Sequence, residues 1–589
     1  MDRLTKTFEN FAMRNRRHLP AAALISVLFC ALLVYFACQV WGPVRMGVFF
    51  ILFLLCTLQG LNGRPDRRES ILCGGFCLVF CFCLQIQGVL AASLGLAFLF
   101  FWLLMAALLF PAVLGLCRFA IRCPLRPLSA PEGPVWRTWL LYTGVILVLW
   151  MPVFLCWGPV RLDVDSVQLL KQAFEGGLND AHPISYTLLL RFILGPFYKL
   201  GMIEVGAYLF GFMQMTVIAG VLAYTLVWIR RRGGGLLWTV MGLSLFCGTT
   251  MYAFQSLVMW KDPLFNAVLA LYCLFLYDTA RCHGENLRRR GPAVRLAVLT
   301  LLLCFLRGNG WPIAAVVSLV LFAAFKPARH RVLTVLLPML IAIKLITGPV
   351  YSALGLQSRL TAEAWAIPLQ QLGAVAASEP EAFTEHNALS IENIIPVSAL
   401  GQAYSPVTVD PIKASPDFNI GYFGSWQAKL DLLQSWLRLL PSQWRIYLRA
   451  WAAEVMGYIN PRFDGGSYSF PYEDSNGAYG ITSKDLVLWL TGWNGLRDEL
   501  EARATFPPPA LVIFGVILCG IILTLRRQTR LLLAYLPMYL VWVGLLLGAP
   551  SYIQLRYVLV FAFLLPAAVF MALAGGAKEG IDEAAVSSV

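Results

Sequence analysis

The chain has 589 residues, of which 59% are hydrophobic and 13% are charged, and its mean hydropathy is +0.70. This composition excludes a soluble domain with an ordinary polar surface, because such a domain could not bury so much apolar surface. The basic residues behind the formal net charge of +14 concentrate in loops between apolar runs. The distribution of basic residues therefore indicates how the chain is oriented in the membrane, and it predicts no nucleic-acid partner.

Apolar runs of about 17 to 25 residues recur along the sequence, and each could cross a hydrocarbon core of about 30 Å as a helix. About fourteen such runs, from residues 20–40 to residues 556–575, predict an all-α polytopic membrane protein. The first run follows Arg14, Arg16 and Arg17 and has no small-residue cleavage site behind it. This pattern indicates a retained anchor rather than a cleaved signal peptide.

Clusters of Lys and Arg occupy alternate loops, as the positive-inside rule expects of cytoplasmic loops. Arg230, Arg231 and Arg232 form one such cluster, and Arg526 and Arg527 belong to another. The pattern predicts a multi-pass protein of the cell membrane with both termini in the cytoplasm.

The alternation of apolar and polar stretches divides the chain into four regions. Residues 1–137 hold four apolar runs and a cytoplasmic linker, and residues 138–352 form a membrane core with a first external loop at 158–202. Residues 353–507 are predicted to be a mostly helical external segment, and residues 508–589 hold three more runs and a cytoplasmic tail. The external segment contains no cysteine, so no disulfide framework is predicted there.

Within the external segment, residues 430–458 show an amphipathic helical pattern interrupted by Pro441 and rich in tryptophan. Such a pattern suits a helix that lies on the bilayer surface. It suits equally a small soluble helical cap whose tryptophans form its core. The sequence leaves both interpretations open.

The first external loop carries the stretch "RLDVDSVQLLKQAFEGGLNDAHP", which places acidic groups directly after an apolar run. An extended backbone would put Asp163 and Asp165 on one side of the chain. Asp165 followed by Gln168 also resembles a capping box for the next helix, a purely structural role. The acidic pattern returns at Asp180, beside His182, which favours a polar pocket.

The next stretch, "ISYTLLLRFILGPFYKLG" at residues 184–201, is amphipathic and carries Arg191 and Lys199. It predicts a helix that lies along the membrane interface. Together with the acidic loop, this helix would form a polar pocket over an apolar floor.

Three later loops add polar groups on the same predicted side of the membrane. "MWKDPLF" provides Lys261 and Asp262, "LRGNGWP" provides Arg307, and "YIQLRYVL" provides Arg556 and Tyr557. We expect these residues to converge with the acidic loop.

Lys344 lies inside an apolar run. A charge within a membrane span costs about 2.5 to 3.5 kcal/mol on insertion scales, so it usually has a partner or a role. The alternative is that its long side chain reaches the nearby interface.

At these residues the chain resembles the GT-C glycosyltransferases, a membrane-embedded class that includes protein O-mannosyltransferases and aminoarabinose transferases. In that class an aspartate in the first large external loop precedes a helix and then an interfacial helix ending at a glycine. The matching stretches here are "DVDS", "NDAHPISYTLLL" and "FYKLG". The stretches "AIPLQQLGAVA", "RGNG" and "WRIYLRAWAAEVMGYINP" resemble more closely a largely uncharacterised family of bacterial multi-pass proteins with GT-C-like character. The likeness covers roughly residues 138 to 575.

The resemblance implies an enzyme that moves a sugar from a polyprenyl-phosphate-linked donor to an extracytoplasmic acceptor of the cell envelope. It implies Asp165 as the general base, with Asp163 as its nearest substitute. Cations must stabilise the departing phosphate, and Arg556, Lys344, Lys261 and Arg307 are the candidates. The full set of candidate substrate-binding residues is Asp180, His182, Lys261, Asp262, Arg307, Lys344, Arg556 and Tyr557.

The paired aspartates, Asp163 and Asp165, could instead bind a divalent cation as a cofactor, although two carboxylates alone are a weak metal signature. Two other functions also stay open. A lipid or oligosaccharide transporter has a similar number of spans, and a non-catalytic cell-wall assembly protein would use the external segment as a binding surface. Few ionisable groups lie in the middle of a span, which argues against a transport path.

Overall fold

The computed structural model describes residues 17–37, 43–90, 95–122, 133–179, 182–356, 362–384, 391–463, 475–548 and 551–574. The described residues are mainly α-helical and contain no β-strand. Their extended backbone pairing is limited to two isolated bridges, Arg161 with Val258 and Thr408 with Ser551. The chain is therefore an all-α membrane protein, as its composition predicts.

The N-terminal region is a bundle whose helices pack closely through small residues. An added Cβ at Gly60 would lie 1.8 Å from the Pro111 carbonyl oxygen, and one at Gly115 would lie 1.8 Å from the Cys56 carbonyl oxygen. Glycine at both positions lets the two helix backbones touch. The helices are α1 (Leu19–Ala37), α2 (Pro43–Leu61), α3 (Arg67–Leu84), α4 (Ile86–Leu90) and α5 (Leu96–Arg122).

The membrane core surrounds one central helix, Lys261–Arg281, most of whose residues are buried. The helices of this region are α6 (Val135–Trp157), α7 (Val164–Phe174), α8 (Ile184–Lys199), α9 (Ile203–Arg231), α10 (Leu236–Gly248), α11 (Met251–Leu257), α12 (Lys261–Arg281), α13 (Arg290–Leu306), α14 (Gly310–Ala324) and α15 (Lys326–Ala353). The axes of α10 and α11 differ by 60° across a short break. Two π-helical turns, Val332–Leu336 and Ile346–Val350, interrupt α15.

The segment predicted to be external is helical, and its residues 362–447 form a hydrophobic core of their own. Its helices are α16 (Ala366–Ser378), α17 (Val397–Gln402), α18 (Asp410–Ala414), α19 (Ile420–Phe423), α20 (Trp426–Glu454), α21 (Met456–Ile459), α22 (Leu486–Thr491) and α23 (Gly495–Ala502). Helix α20 is continuous through Pro441 but bends at Gln443, which has non-helical dihedral angles. The Trp436 indole stacks on Tyr447 and donates to Gln371 Oε1 at 2.6 Å. The central part of α20 therefore forms the core of a cap.

The C-terminal region packs against the N-terminal bundle. Its helices are α24 (Pro509–Leu525), α25 (Leu536–Gly548) and α26 (Leu559–Ala574). Phe514 on α24 makes edge-to-face contacts with Phe76 and Phe80 on α3. The two ends of the described chain thus share one apolar core.

The number of spanning helices corrects the sequence-based count of about fourteen. Among the described residues, five helices are long and apolar enough to cross a membrane, or up to six if the bent α10–α11 pair is one span. Six further apolar stretches of 10–17 residues lie within α1, α2, α14, α24, α25 and α26. At about 1.5 Å per residue, a stretch of that length is shorter than a hydrocarbon core. Hydropathy therefore overcounts, since it registers apolar runs without showing where turns end the helices.

A buried carboxyl group joins α16 to α20 in the external segment. Gln370 Nε2 donates to Glu454 Oε2 at 2.6 Å, and Glu454 is fully buried. The remaining Oε1 atoms of Glu454 and Gln370 have no hydrogen-bond partner among the described residues. Burial raises the pKa of Glu454 to about 8, with Asp410 and Lys413 as the nearby charges. A protonated Glu454 would carry no charge in this buried place and would gain a hydrogen-bond donor.

We expect the Glu454 carboxyl to make the protein less stable as the pH rises from about 4.5 to about 8. A carboxyl whose pKa is higher in the folded state binds its proton more tightly when folded, so raising the pH through this window favours unfolding. Glu454→Gln should keep the contact with Gln370 and flatten the dependence of the melting temperature on pH. The exposed Glu381→Gln serves as the control, and the same flattening in both variants would contradict the assignment.

Candidate active site

The site begins where α6 ends and the chain runs extended beside residues 257–259. The Arg161 N–H donates to the Leu257 carbonyl at 3.0 Å, and the Met259 N–H donates to the Arg161 carbonyl at 3.1 Å. Gln214 on α9 is buried and donates to the carbonyls of Ser256 and Val258, each at 2.7 Å. These contacts place the first residues of α7 directly beside the first residues of α12.

Asp163 caps α7, and this register differs from the capping box predicted for Asp165 and Gln168. The Ser166 N–H donates to Asp163 Oδ1 at 2.9 Å, and the Asp163 N–H donates to the Ser166 hydroxyl at 3.3 Å, which completes a capping box. Helix α7 starts at Val164, two residues earlier than the predicted register requires. Asp165 therefore lies in the first turn with its carboxylate free of any capping bond.

Arg556 lies between the two aspartates. Its Nη1 atom is 2.8 Å from Asp165 Oδ2 and 3.9 Å from Asp163 Oδ2. The guanidinium stacks over the Trp260 ring, 4.3 Å from the ring centre. Asn266 on α12 holds this segment, since it donates to the Arg556 carbonyl at 2.8 Å and accepts from the Val560 N–H at 2.9 Å.

His182 links Asp165 to Lys261. Lys261 Nζ is 2.9 Å from His182 Nδ1, and His182 Nε2 is 3.9 Å from Asp165 Oδ1. Because a charged ammonium group can only donate, Nδ1 accepts and the ring proton lies on Nε2, toward Asp165. Burial and the charge of Lys261 lower the pKa of His182 to about 4, so the imidazole is neutral at pH 7.

A second ion pair lies beside the first. Arg307 Nη1 is 2.6 Å from Asp262 Oδ1, and Asp262 is only 1% exposed. The Arg307 guanidinium lies over the Tyr557 ring, 4.4 Å from its centre, and Arg556 lies 5.1 Å from the centre of the same ring. Tyr557 therefore packs against both arginines.

The electrostatics distinguish the two aspartates at the start of α7. Burial alone would raise the pKa of Asp165, but the positive charges of Arg556 and Lys261 outweigh it and hold this pKa well below its usual range. For Asp163, burial and the negative charge of Asp165 raise the pKa. Asp165 is thus the more acidic of the two carboxyl groups, because it has the closer cations.

The sequence analysis also names Asp180 and Lys344 as candidates. Asp180 falls outside the described residues. Lys344 is on α15, where its ammonium lies over the Trp311 ring, 4.8 Å from the centre. The structure thus brings together eight of the ten candidates, namely Asp163, Asp165, His182, Lys261, Asp262, Arg307, Arg556 and Tyr557.

The sequence analysis does not identify three residues that support the site, namely Gln214, Trp260 and Asn266. Gln214 and Asn266 are buried amides within apolar helices, and this is the signal that could have found them, since a buried amide needs partners. Trp260 directly precedes the Lys261–Asp262 pair, but nothing in its position predicts a stack on an arginine 296 residues further along the chain.

No group of three or more His, Cys, Asp or Glu side chains that could hold a metal ion occurs within the described part of the chain. Asp163 and Asp165 both face Arg556. A divalent cation bound between these two carboxylates would meet the positive charge of Arg556.

Comparison with protein-family models assigns the chain to a family. No curated protein and no solved structure matches the chain. The family model DUF6020, described as a family of unknown function, matches residues 173–586. The matched range contains His182, Lys261, Arg307 and Arg556, while α7 begins just before it. Because the match covers more than half of the sequence, the chain belongs to the DUF6020 family.

Proposed function

We propose that this protein is an integral membrane glycosyltransferase with a GT-C-like fold. It would move a sugar from a polyprenyl-phosphate-linked donor to an acceptor at the membrane face that carries the polar cluster. The observation that supports this best is a buried network of carboxylates, cations and a neutral histidine, assembled from distant chain segments where spanning helices end. Under the positive-inside rule this face is extracytoplasmic.

Asp165 is the proposed general base. As the acceptor oxygen bonds to the anomeric carbon, its proton passes to the Asp165 carboxylate. The bond from the same carbon to the phosphate oxygen breaks, and its electron pair leaves with the lipid phosphate. Asp165 suits this role because it is ionised and makes no capping bond, whereas Asp163 is committed to the start of α7.

Arg556, Lys261 and Arg307 are proposed to stabilise the departing phosphate. Arg556 Nε is buried and has no hydrogen-bond partner among the described residues, so the guanidinium keeps a donor for a phosphate oxygen. Arginine is well suited to this role because its planar fork can donate two parallel bonds to phosphate.

Arg556 also couples donor binding to the base. Without donor, its charge is shared with Asp165 at 2.8 Å and keeps that carboxylate weakly basic. A phosphate that shares the guanidinium would neutralise part of this charge and raise the pKa of Asp165. Proton abstraction would then be favoured when the donor is in place.

A lipid-linked donor needs an apolar approach to the cluster, and α8 offers one. Phe192 on this helix is 80% exposed and Leu188 is also exposed, one turn away on the same face. The exposed Arg191 lies beside them in sequence. An apolar helix face flanked by a cation suits the boundary between acyl chains and head groups.

The decisive experiment combines lipid identification with a reaction. We expect mass spectrometry of the purified protein to find a bound polyprenyl-phosphate sugar. We also expect proteoliposomes containing that lipid to release polyprenyl phosphate when membrane acceptors are added. Movement of the intact lipid across the bilayer without release of polyprenyl phosphate would identify a transporter instead and overturn the proposal.

A further inference from the structure

Helix α22 exposes apolar side chains that a water-facing loop would not be expected to carry. Trp489 is 78% exposed and Leu490 is 68% exposed, and Leu488 and Trp493 are also exposed. The helix is well formed, since Asp485 caps its start and Gly492, with a φ of +73°, ends it. Three large apolar residues on such a short helix, with Trp493 just beyond its end, form a patch typical of an interaction surface.

The depth of α22 is fixed by its attachment to the end of α6, which is long and apolar enough to span a membrane. The Lys484 N–H donates to the Gly158 carbonyl at 2.8 Å, and the Ser483 hydroxyl donates to the Trp157 carbonyl at 3.2 Å. On the far side of α22, the Arg497 guanidinium lies over the Trp157 ring, 4.9 Å from its centre. Both flanks of α22 are thus tied to the end of this spanning helix.

The residues before α22 contact the helix that carries Asp165. The Tyr479 hydroxyl donates to Glu175 at the end of α7, and its ring packs against Phe174. Ile481 is buried in the same apolar cluster as Leu169 and Leu170 of α7. The chain from 475 to 481 therefore forms a strap across α7 whose continuation is α22.

We propose that α22 is an interfacial anchor that inserts into the lipid on the membrane face carrying the polar cluster and thereby holds the strap against α7. The exposed face of α22 contacts the bilayer surface, because both ends of α22 are held at the end of a spanning helix. Tryptophan and leucine favour this boundary, where apolar side chains enter the acyl region and indole N–H groups reach the head groups. This inference does not depend on the proposed enzymatic function.

The test places a fluorescent label at Leu490→Cys in the full-length protein, reconstituted in phosphatidylcholine vesicles with or without nitroxide-labelled lipid. The matched control is Ile420→Cys, an exposed apolar residue of the cap, and labelled wild type gives the background from native cysteines. We expect nitroxide lipid to quench the Leu490 label at least about twofold more than the Ile420 label. Aqueous iodide should show the opposite preference.

Equal quenching of the two labels by iodide would place α22 in water and overturn the proposal. Protection of the Leu490 label from both quenchers would indicate a protein partner, such as a second copy of the chain, and would also overturn it. As an independent measurement, Trp489→Asp should accelerate amide hydrogen exchange in residues 475–481, whereas Ile420→Asp should not. Unchanged exchange in the Trp489 variant would show that α22 does not hold the strap.

Discussion

Asp165→Asn is expected to reduce sugar transfer by about 10²- to 10⁴-fold while leaving the protein folded and inserted. Asparagine has nearly the same shape but cannot accept the acceptor's proton. Asp165 makes no capping bond, so α7 should survive the change. The measurement is the initial rate of polyprenyl-phosphate release in proteoliposomes, with thermal stability and reconstitution yield compared in parallel.

Two matched variants make this prediction specific. Asn caps helices about as well as Asp, so Asp163→Asn should preserve α7 and most of the activity. Glu175→Gln changes another acid of the same helix and keeps a partner for Tyr479, so it should transfer at nearly the normal rate. If Asp163→Asn were inactive and Asp165→Asn active, the base would be Asp163. If both were active, the proposed acid–base mechanism would be wrong.

Arg556→Gln should lower transfer by about 10²- to 10³-fold, because it removes the cation proposed to meet the departing phosphate. It should also change the pH dependence. Arg556 holds the pKa of Asp165 well below its usual range, so its loss lets burial raise that pKa. Since the base must be ionised, the acidic limb of the pH–rate profile should move to higher pH, with partial recovery of the rate in alkaline buffer.

Arg556→Lys separates charge from shape. Lysine keeps the positive charge near Asp165 but loses the planar fork, so we expect the pH profile to stay near that of wild type while the rate remains low. The exposed Arg445→Gln controls for loss of a surface charge. A normal rate in Arg556→Gln, or a reduced rate with no shift of the acidic limb, would contradict the coupling between Arg556 and Asp165.

The sequence predicts the broad class and most of the site, because both depend on local chemistry. Hydropathy identifies an all-α membrane protein, and polar residues beside apolar runs identify the segments that converge. The sequence alone misjudges the capping register, since Asp163 and Asp165 both precede helix-forming residues and only Asp163 bonds to Ser166. It also overcounts the spans, since hydropathy does not show where a helix ends.

Residue composition and local patterning by themselves determined that this protein lies in a membrane and that its acids and cations cluster beside apolar helices. The tertiary structure decided which charges meet: Asp165 pairs with an arginine 391 positions away, Asp262 pairs with Arg307, and Lys344 lies over Trp311. Such pairings depend on how buried amides such as Gln214 and Asn266 align distant backbones. Local sequence preferences cannot specify them, because each partner's position is fixed by the packing of every helix between the two.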